Sequence, residues 1–258
     1  GNLKPGSGLI TQRPFRTPHH SASLASLIGG GLNARPGEVS LAHNGVLFLD
    51  EMPEYPRSVL ESLRQPLEDG HITVSRVNAH TQYLSRMMLV ASMNPCPCGY
   101  YGSQTKHCRC GSYEIKRYLD RISGPLLDRI DLQVEVDVVP VSDIVKENSQ
   151  EDSATVRQRV QAARDRQARR FEGSGIRCNA QMNGKNLEEQ AALSKEAATL
   201  LQQAVQRYGL SMRAYTRLIK VARTIADLAG EDAVSLPAMA EAIQFRMIDG
   251  KYWGESHA

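Results

Sequence analysis

Three features are scarce in this sequence of 258 residues: long apolar runs, net charge and cysteine. No stretch approaches the ~18 consecutive apolar residues that a membrane-spanning helix needs, and the first residues lack the charged and apolar segments of a signal peptide. Lys and Arg number 31 against 28 Asp and Glu, so the net charge of +3 does not by itself identify a nucleic-acid-binding protein. Five cysteines are too few for a disulfide-dense mini-protein. We therefore expect a globular protein of the cytoplasm.

Four of the five cysteines are clustered in one short stretch, in the order Cys-x-Cys, nine residues, Cys-x-Cys. Two pairs of thiols separated by a loop resemble a zinc ribbon, and four thiolates suit a structural Zn²⁺. The spacing predicts a metal site formed by Cys96, Cys98, Cys108 and Cys110, with His107 as a spare ligand. The alternative is four free thiols on a mobile loop. Cys178 lies far from the cluster and is expected to be an ordinary free thiol.

The first 140 residues alternate short apolar runs with helical patterns. Strands are predicted at Val46–Leu49 and Met87–Ala91, both buried, and at Leu132–Val138, which alternates like an edge strand. Helices are predicted at Arg57–Leu67 and Tyr113–Ile122. Strands that alternate with helices indicate an α/β fold with a parallel sheet.

After residue 141 the pattern becomes almost wholly helical, which divides the chain into domains at 1–140 and 141–258. Ser211 and Ser235 are placed to cap helices, while Gly209 and Gly230 are placed to end them. The predicted helices are Ala154–Phe171, Leu187–Tyr208, Met212–Ala229 and one from Ser235 through Ile248.

Two acids, Asp50 and Glu51, end the first apolar strand. In nucleotide-hydrolysing α/β proteins the first acid at such a position holds Mg²⁺ and the second polarises the attacking water. Ligands bind at the carboxyl ends of parallel strands, which fits this position. The alternative is that the two acids stabilise the N-terminus of the next helix through its dipole.

The sequence motifs around these acids resemble those of the magnesium-chelatase-like AAA+ ATPases, and within them those of the ComM (YifB) competence-protein family. The resemblance extends over nearly the whole chain. It rests on His19–Ser23, Ile28–Gly31, Arg35–Glu38, Ala42–Glu51, Arg64–Gly70, Met93–Gly99, Gly124–Asp131 and Ala222–Leu228. It implies an α/β fold made of an incomplete AAA+ parallel-sheet core with a β-hairpin insert, followed by an all-α lid domain.

The resemblance also assigns catalytic roles by position. Asp50 and Glu51 match the Walker B acids, and Asn94 matches sensor 1, which orients the hydrolytic water. Arg129 matches the arginine finger that reaches the nucleotide of a neighbouring subunit. Arg213 matches the sensor 2 residue of the lid, and Arg217 is the weaker candidate for that role. The implied cofactors are ATP and Mg²⁺.

One element of such an ATPase is missing from the sequence. The pattern G-x-x-x-x-G-K-[ST], whose backbone amides hold phosphates, occurs nowhere in it, and neither Lys4–Gly8 nor Gly29–Gly31 has the required ending. The resemblance therefore implies the C-terminal part of a longer ATPase, with the P-loop upstream and a Lon-like domain further upstream. By itself the chain is expected not to bind ATP. Without the P-loop strand, Leu132–Val138 is expected to be displaced, newly paired or poorly ordered.

Two segments are candidates for contact with DNA. A β-hairpin from His71 to Leu84 resembles the hairpin that projects into the pore of the ring in this clade, with Arg76 and His80 as its basic groups. The insert from His19 to Gly31 matches a second pore-facing element of the family. On the arginine-rich helix the residues Arg159, Arg166 and Arg170 form a possible phosphate-binding stripe, although a solvated helix face is the simpler interpretation.

The function that this resemblance implies is a hexameric DNA helicase or branch-migration factor, driven by ATP and acting on single-stranded or branched DNA in transformation or recombination. One alternative is a magnesium-chelatase subunit that remodels a porphyrin-metallating partner. A second is a non-catalytic scaffold derived from such an ATPase. The retention of both acids, Asn94, Arg129 and Arg213 disfavours the scaffold, and the four clustered cysteines favour the ComM-like group.

Overall fold

The computed structural model describes residues 11–31, 34–76, 79–103, 105–136 and 151–247, together with Gly6, Gly8, Tyr252 and Trp253. The described residues form two compact units, one ending at Ile130 and the other beginning at Asp131. The domain boundary that the sequence predicts, between residues 140 and 141, lies outside the described residues and stays a prediction.

A three-stranded parallel sheet forms the centre of the first unit. Its strands are β1 (Phe15–Arg16), β4 (Val46–Leu49) and β7 (Met88–Ala91), in the order β1-β4-β7. Val46 lies opposite Met88, and Leu49 lies opposite Ala91, so β4 and β7 end at the same edge. On β4, Leu47 and Leu49 are at 0% exposure, and Val46 and Phe48 are half-buried. The predicted α/β parallel sheet is therefore confirmed, and so is the buried strand at Val46–Leu49.

Strand β7 is present but is not buried as the sequence predicts. Met88 is 63% exposed and Val90 is 39% exposed. A parallel sheet normally has neighbours on both faces of every strand, which is why its strands read as continuous apolar runs. Within the described residues β7 pairs with β4 alone. Part of the apolar surface of this strand is therefore left exposed.

Short elements surround the sheet. A helix α1 (Leu24–Ile28) leads into a two-stranded ribbon of β2 (Gly29–Gly30) and β3 (Arg35–Pro36), which α2 (Glu38–Leu41) follows. After β4 comes a 3₁₀ turn at Met52–Glu54. The predicted helix Arg57–Leu67 is two helices, α3 (Arg57–Ser62) and α4 (Arg64–Asp69). Pro66 explains the break, since it has no N–H to bond the carbonyl four residues earlier.

The predicted hairpin before the second strand is confirmed. It consists of β5 (His71–Arg76) and β6 (Ala79–Leu84), antiparallel, with His71 opposite Leu84 and Arg76 opposite Ala79. Helices α5 (Ser112–Leu119) and α6 (Gly124–Leu127) complete the unit. Helix α5 is the helix predicted at Tyr113–Ile122, and it ends three residues earlier than expected.

The strand predicted at Leu132–Val138 is wrong for the part that the structure describes. Residues 132–136 form no strand, and the backbone N–H of Gln133 donates to the carbonyl of Phe245 at 3.0 Å. Val134 is 66% exposed and Val136 is 84% exposed. The alternating sequence is that of a half-buried strand, but no described strand lies beside it to accept its backbone hydrogen bonds. Val138 lies outside the described residues.

The second unit is a helical bundle. Its helices are α7 (Ser153–Arg170), α8 (Gly184–Ala191), α9 (Lys195–Tyr208), α10 (Met212–Ala229) and α11 (Leu236–Gln244), with a 3₁₀ turn at Asn179–Gln181. Among the residues that the structure describes, every helix is too short or too polar to cross a membrane.

Capping residues set the helix ends of this unit. The side chains of Ser194, Ser211 and Ser235 accept backbone N–H bonds at the starts of α9, α10 and α11. Gly209 and Gly230 end α9 and α10 in the left-handed conformation, as predicted. The single helix expected at Leu187–Tyr208 is wrong, because Ala192 adopts φ 49° and separates α8 from α9.

One apolar cluster and one ionic network hold the bundle together. The cluster joins residues of all the helices from α8 to α11, including Leu201, Leu218 and Met239 at 1%, 1% and 0% exposure. Beside it, the fully buried carboxylate of Asp227 pairs with Arg223 at 3.1 Å and with Arg170. Two arginines thus share one buried carboxylate inside the bundle.

Candidate functional site

The two acids after β4 are held in place by a hydroxyl group from the neighbouring strand. Ser92, which directly follows β7, donates its hydroxyl to Asp50 Oδ1. The backbone N–H of Glu51 in turn donates to Ser92 Oγ at 3.1 Å. Because β4 and β7 are parallel, their carboxyl ends bring the three residues together. The predicted pair Asp50 and Glu51 therefore forms a fixed acidic site, and Ser92 is a partner that the sequence analysis missed.

Glu51 has a backbone conformation that is rare for its residue type. Its φ and ψ are both 50°, the left-handed region, and its N–H also donates to Asp50 Oδ1 at 3.2 Å. A residue with a Cβ pays ~1–2 kcal/mol to adopt this conformation. The side chain of Glu51 is 55% exposed, so its carboxylate faces solvent, where a hydrolytic water would be positioned.

The start of the His19–Gly31 insert lies beside the same carboxylate. His20 Nδ1 is 3.9 Å from Glu51 Oε2, and the His20 ring stacks on His19 with centroids 4.0 Å apart. Tyr55 packs edge-on against His20 and donates its hydroxyl to the carbonyl of Pro18 at 2.5 Å. Burial, assisted by the charge of Asp50, raises the pKa of Tyr55. The sequence gave no signal that His20 contacts the acid.

Asn94 lies at the same edge of the sheet, two residues beyond Ser92. It is exposed, and it shares a backbone hydrogen bond with Tyr118 of α5, which is 7% exposed. The water-orienting role of its amide stays a prediction. The structure thus brings Asp50, Glu51, Ser92 and Asn94 to one edge.

Arg129, the predicted arginine finger, is turned into its own unit. Its side chain is 7% exposed, forms an ion pair with Glu68 of α4 and donates to the carbonyl of Pro125 at 2.6 Å. In this arrangement the guanidinium closes the fold around α4 and α6 rather than projecting from it. Its action on a neighbouring subunit stays a prediction.

The predicted sensor 2 residue belongs to the helical unit. Arg213 lies in the first turn of α10 and is exposed. Arg217, one turn later, forms an ion pair with Asp131. Of the two candidates, Arg217 is therefore paired with a carboxylate, and the sensor 2 role of Arg213 stays a prediction.

The four clustered cysteines converge on one point, as the sequence predicts. Their sulfur atoms all lie within 4.8 Å of one another. The Sγ of Cys96 is 3.4 Å from that of Cys98 and 3.7 Å from that of Cys108, while Cys98 and Cys108 are 3.6 Å apart. These distances are too long for a disulfide bond of ~2.05 Å and close to the ~3.8 Å between sulfurs of a zinc tetrahedron with Zn–S bonds of ~2.3 Å.

Backbone amides point at the sulfurs of this cluster. The N–H of Tyr101 donates to Cys96 Sγ at 3.3 Å. Backbone hydrogen bonds from Arg109 and Tyr100 lower the pKa of Cys98 to about 6, whereas burial and the neighbouring thiols raise that of Cys110 to about 12. Hydrogen bonds from backbone amides stabilise the thiolate form of a cysteine over the thiol. Four thiolates at these distances repel one another unless a cation neutralises their charge. His107 is exposed and outside the cluster, and Cys178 lies in the helical unit.

The candidate DNA-binding residues are described only in part. Ser75 lies opposite His80 and Arg76 lies opposite Ala79 in the hairpin, but the side chains of Arg76 and His80 are outside the described part of the chain. On α7 each arginine of the predicted stripe forms an ion pair with a carboxylate. The pairs are Arg159 with Glu151, Arg166 with Asp232 and Arg170 with Asp227. Arg159 and Arg166 are paired at the surface, whereas Arg170 is mostly buried with Asp227, so phosphate binding by this stripe stays a prediction.

Comparison with known proteins identifies the family. A family model described as magnesium chelatase, subunit ChlI, matches residues 2–144, and the model of the ChlI C-terminal region matches residues 150–246. Competence protein ComM of Haemophilus influenzae is 49% identical over 236 residues, which cover 91% of this chain and 45% of that protein. YifB of Salmonella typhimurium and YifB of Escherichia coli are 47% and 48% identical, each over 92% of this chain and 46% of the relative.

The chain spans about half the length of these curated relatives. The two family models together extend across both of its structural units. The chain thus belongs to the magnesium-chelatase ChlI family of AAA+-type ATPases and is similar, within it, to ComM and YifB.

Proposed function

We propose that this chain is the C-terminal part of an ATP-driven motor that remodels DNA as a helicase or branch-migration factor. The observation that carries the proposal is the fixed pair of acids, Asp50 and Glu51, held by Ser92 at the carboxyl edge of a parallel sheet. The similarity to a competence protein supports a role in transformation or recombination. We propose further that the motor is a homohexameric ring in the cytoplasm.

Each site residue has a defined task in this proposal. Phosphoryl transfer is catalysed by positioning and by charge neutralisation, for which bound Mg²⁺ supplies positive charge at the phosphates. The carboxylate of Asp50, a hard oxygen ligand, suits Mg²⁺, and the exposed carboxylate of Glu51 takes the proton of the attacking water. Asn94 orients that water, while Arg129 and Arg213 provide guanidinium groups for the γ-phosphate.

The phosphate-binding loop has to come from another part of the parent protein, since G-x-x-x-x-G-K-[ST] is absent from the 258 residues. Within the described residues, the second edge of β7 has no partner strand, and this edge, with the exposed Met88 and Val90, is where we place the strand that carries the loop. The greater length of the relatives supports such a segment, together with a Lon-like domain. The chain alone then has no measurable affinity for ATP, and saturable binding of labelled ATP by this chain would contradict the arrangement.

The family match favours a second candidate function, a chelatase subunit that uses ATP to remodel a porphyrin-metallating partner. The four convergent cysteines, for which we propose one Zn²⁺, and the motif Met93–Cys98, which contains two of them, fit the ComM-like group better than a chelatase subunit. Salt-sensitive binding to branched DNA separates the two, since each phosphate contact adds to the salt dependence.

The decisive experiment uses the full-length parent protein. Glu51→Gln should lower ATP turnover by at least about 100-fold and leave ATP binding intact, as expected for loss of a general base. Glu54→Gln is the matched control, because Glu54 lies three residues on but pairs with Arg121 instead of facing the site. Equal losses in the two variants would contradict the assignment of Glu51.

The role of Arg129 is tested by mixing subunits. Arg129→Ala should stop turnover, and a second subunit that keeps Arg129 but carries Asp50→Ala should restore part of it. Rescue follows because the finger acts on the nucleotide of the neighbour. Failure of rescue in every mixture would show that the ion pair between Arg129 and Glu68 is purely structural.

The DNA assignment is tested on the hairpin. Arg76→Ala in the parent should weaken binding to branched DNA at all salt concentrations and reduce the salt slope by about one, the change expected for one phosphate contact. Arg159→Ala on the arginine-rich helix is the matched control, since Glu151 neutralises that residue. A larger loss for Arg159→Ala than for Arg76→Ala would move the DNA site to the helix.

A further inference from the structure

We propose that the four-cysteine cluster is a positioning device for Asn94, in which one Zn²⁺ joins the two chain segments that hold this residue. The inference rests on the proposed ATPase for the task of Asn94, and on the described contacts for everything else. It assigns the cluster a place in the ATPase site rather than a detached structural role.

The loop that contains the cysteines has almost no apolar core of its own. Between residues 95 and 111, Cys96 is the single described residue that is buried, and the others are half-buried or exposed. A segment of this length without apolar burial does not offset its loss of conformational entropy. A metal ion supplies the missing free energy, because binding at a site that exists only in the folded state stabilises that state.

The first pair of cysteines adjoins Asn94 along the chain and in space. Cys96 follows Asn94 by two residues and is completely buried. Gly99, which has φ +81°, is a neighbour of Asn94, since a Cβ built on it would lie at an ordinary contact distance of 3.9 Å from Cγ and Oδ1 of Asn94. The turn after Cys98 therefore lies beside the Asn94 amide.

The second pair of cysteines leads into the helix that holds Asn94 from the other side. Cys110 is followed by Gly111, the N-cap of α5, and two turns later Tyr118 bonds the backbone of Asn94. A metal bound to all four thiols would thus connect the turn at Gly99 with helix α5, whose Tyr118 bonds the backbone of Asn94. At the other end of the same segment Ser92 holds Asp50 and Glu51, so Asn94 is fixed between the acids and the metal.

The first test uses this chain without nucleotide. Protein purified in zinc should contain about one Zn²⁺ per chain, and titration with Co²⁺ should give the absorption of a tetrahedral thiolate site. After selective ¹⁵N-asparagine labelling, removing the metal should shift or broaden the amide signals of Asn94. The signals of Asn179, which lies in the helical unit and bonds Asp227, should stay unchanged and serve as an internal control.

Matched variants separate the cluster from general thiol effects. Cys108→Ser together with Cys110→Ser should abolish metal binding and give the metal-free Asn94 signals, whereas Cys178→Ser should do neither. Absence of bound metal in the unmodified chain overturns the inference. Bound metal with Asn94 signals that do not respond to its removal overturns it as well.

A second test in the parent protein distinguishes positioning from simple stability. The double variant should lower kcat for ATP by about 10–100-fold, the usual effect of losing a supporting contact, while KM for ATP stays within about twofold. An unchanged kcat overturns the inference and leaves the ATPase intact. A parent without ATPase activity even when zinc is bound refutes the proposed function, but the response of Asn94 to the metal remains measurable in the chain.

Discussion

The sheet of the first unit and the helical bundle of the second unit differ in how they cover their apolar side chains. In the helical unit one continuous cluster includes Leu201 and Leu218 at 1% exposure each. In the first unit the sheet leaves Phe15 and Met88 exposed by 62% and 63%, although both lie in strands. The difference is one of secondary structure rather than of composition, since both units are rich in aliphatic residues.

A helix satisfies its own backbone hydrogen bonds, so a bundle needs only its apolar stripes to meet. A strand needs partners on both sides and layers on both faces. Local sequence is therefore enough to complete the helical unit, whereas the sheet depends on residues beyond its three described strands. This comparison leads to specific expectations for stability.

The largest effect is expected from the ionic network of the helical unit. Asp227→Asn leaves Arg170 and Arg223 without their carboxylate in a buried site, and removing one member of a buried ionic network costs about 3–5 kcal/mol. Urea unfolding followed by circular dichroism measures the loss. Asp232→Asn is the control, because this fully exposed partner of Arg166 should leave stability unchanged. Similar results for the two variants would show that the network is not structural.

A paired truncation tests the difference in burial directly. Leu201→Ala removes a buried side chain from the bundle and should cost about 3 kcal/mol. Met88→Ala in β7 should change stability by less than about 0.5 kcal/mol, since surface substitutions have effects of that size. Both changes are read as shifts of the urea midpoint at constant m-value. A large loss for Met88→Ala would mean that β7 is covered in this chain.

A smaller effect is expected at the helix caps. Ser194 accepts the N–H of Ala197 at 3.1 Å, and Ser194→Ala should cost about 1 kcal/mol of helical-unit stability. In the first unit the N-cap of α3 is Pro56, whose side chain makes no capping bond. Pro56→Ala removes no capping hydrogen bond, so its loss of stability should be smaller than that of Ser194→Ala. Thermal unfolding of the two variants provides the measurement.

The smallest expected effect is a dependence of stability on pH, and it is confined to acidic conditions. Burial alone would raise the pKa of Asp227, but hydrogen bonds from Arg170 and Asn179 outweigh it, and the folded-state pKa is lowered. The stabilisation is therefore complete above the unfolded-state pKa of ~4 and decreases as the pH falls through the lower folded-state value. The stability difference between the unmodified chain and Asp227→Asn should shrink below about pH 4. A constant difference down to pH 2 would contradict the lowered pKa.

Sequence patterns predicted the helices better than the strands, and the reasons are physical. The helix Met212–Ala229 was predicted with its exact ends because Ser211 and Gly230 are local signals. The break at Ala192 was missed, since a left-handed alanine has no such signal. Leu132–Val138 has the alternation of a strand, but alternation does not supply a pairing partner. Strand existence depends on contacts far away in the sequence.

In the candidate site, too, residues with a local sequence signal were predicted, and residues placed by distant contacts were not. Asp50, Glu51 and the four cysteines were found because their residue types and spacing carry chemistry. Ser92 was missed because a serine after a strand has many uses, although its place at the end of β7 was the available signal. The burial of Arg129 against Glu68 was equally unpredictable, since residues 61 apart in sequence meet only through the fold.

The left-handed backbone of Glu51 has a consequence for the history of this family. A glycine at this position would relieve about 1–2 kcal/mol of conformational cost and would keep the N–H that bonds Ser92. Once hydrolysis is no longer under selection, drift should therefore replace the glutamate by glycine or asparagine and make the protein more stable. If Glu51 is the general base proposed above, relatives that have become scaffolds should be recognisable by that single exchange.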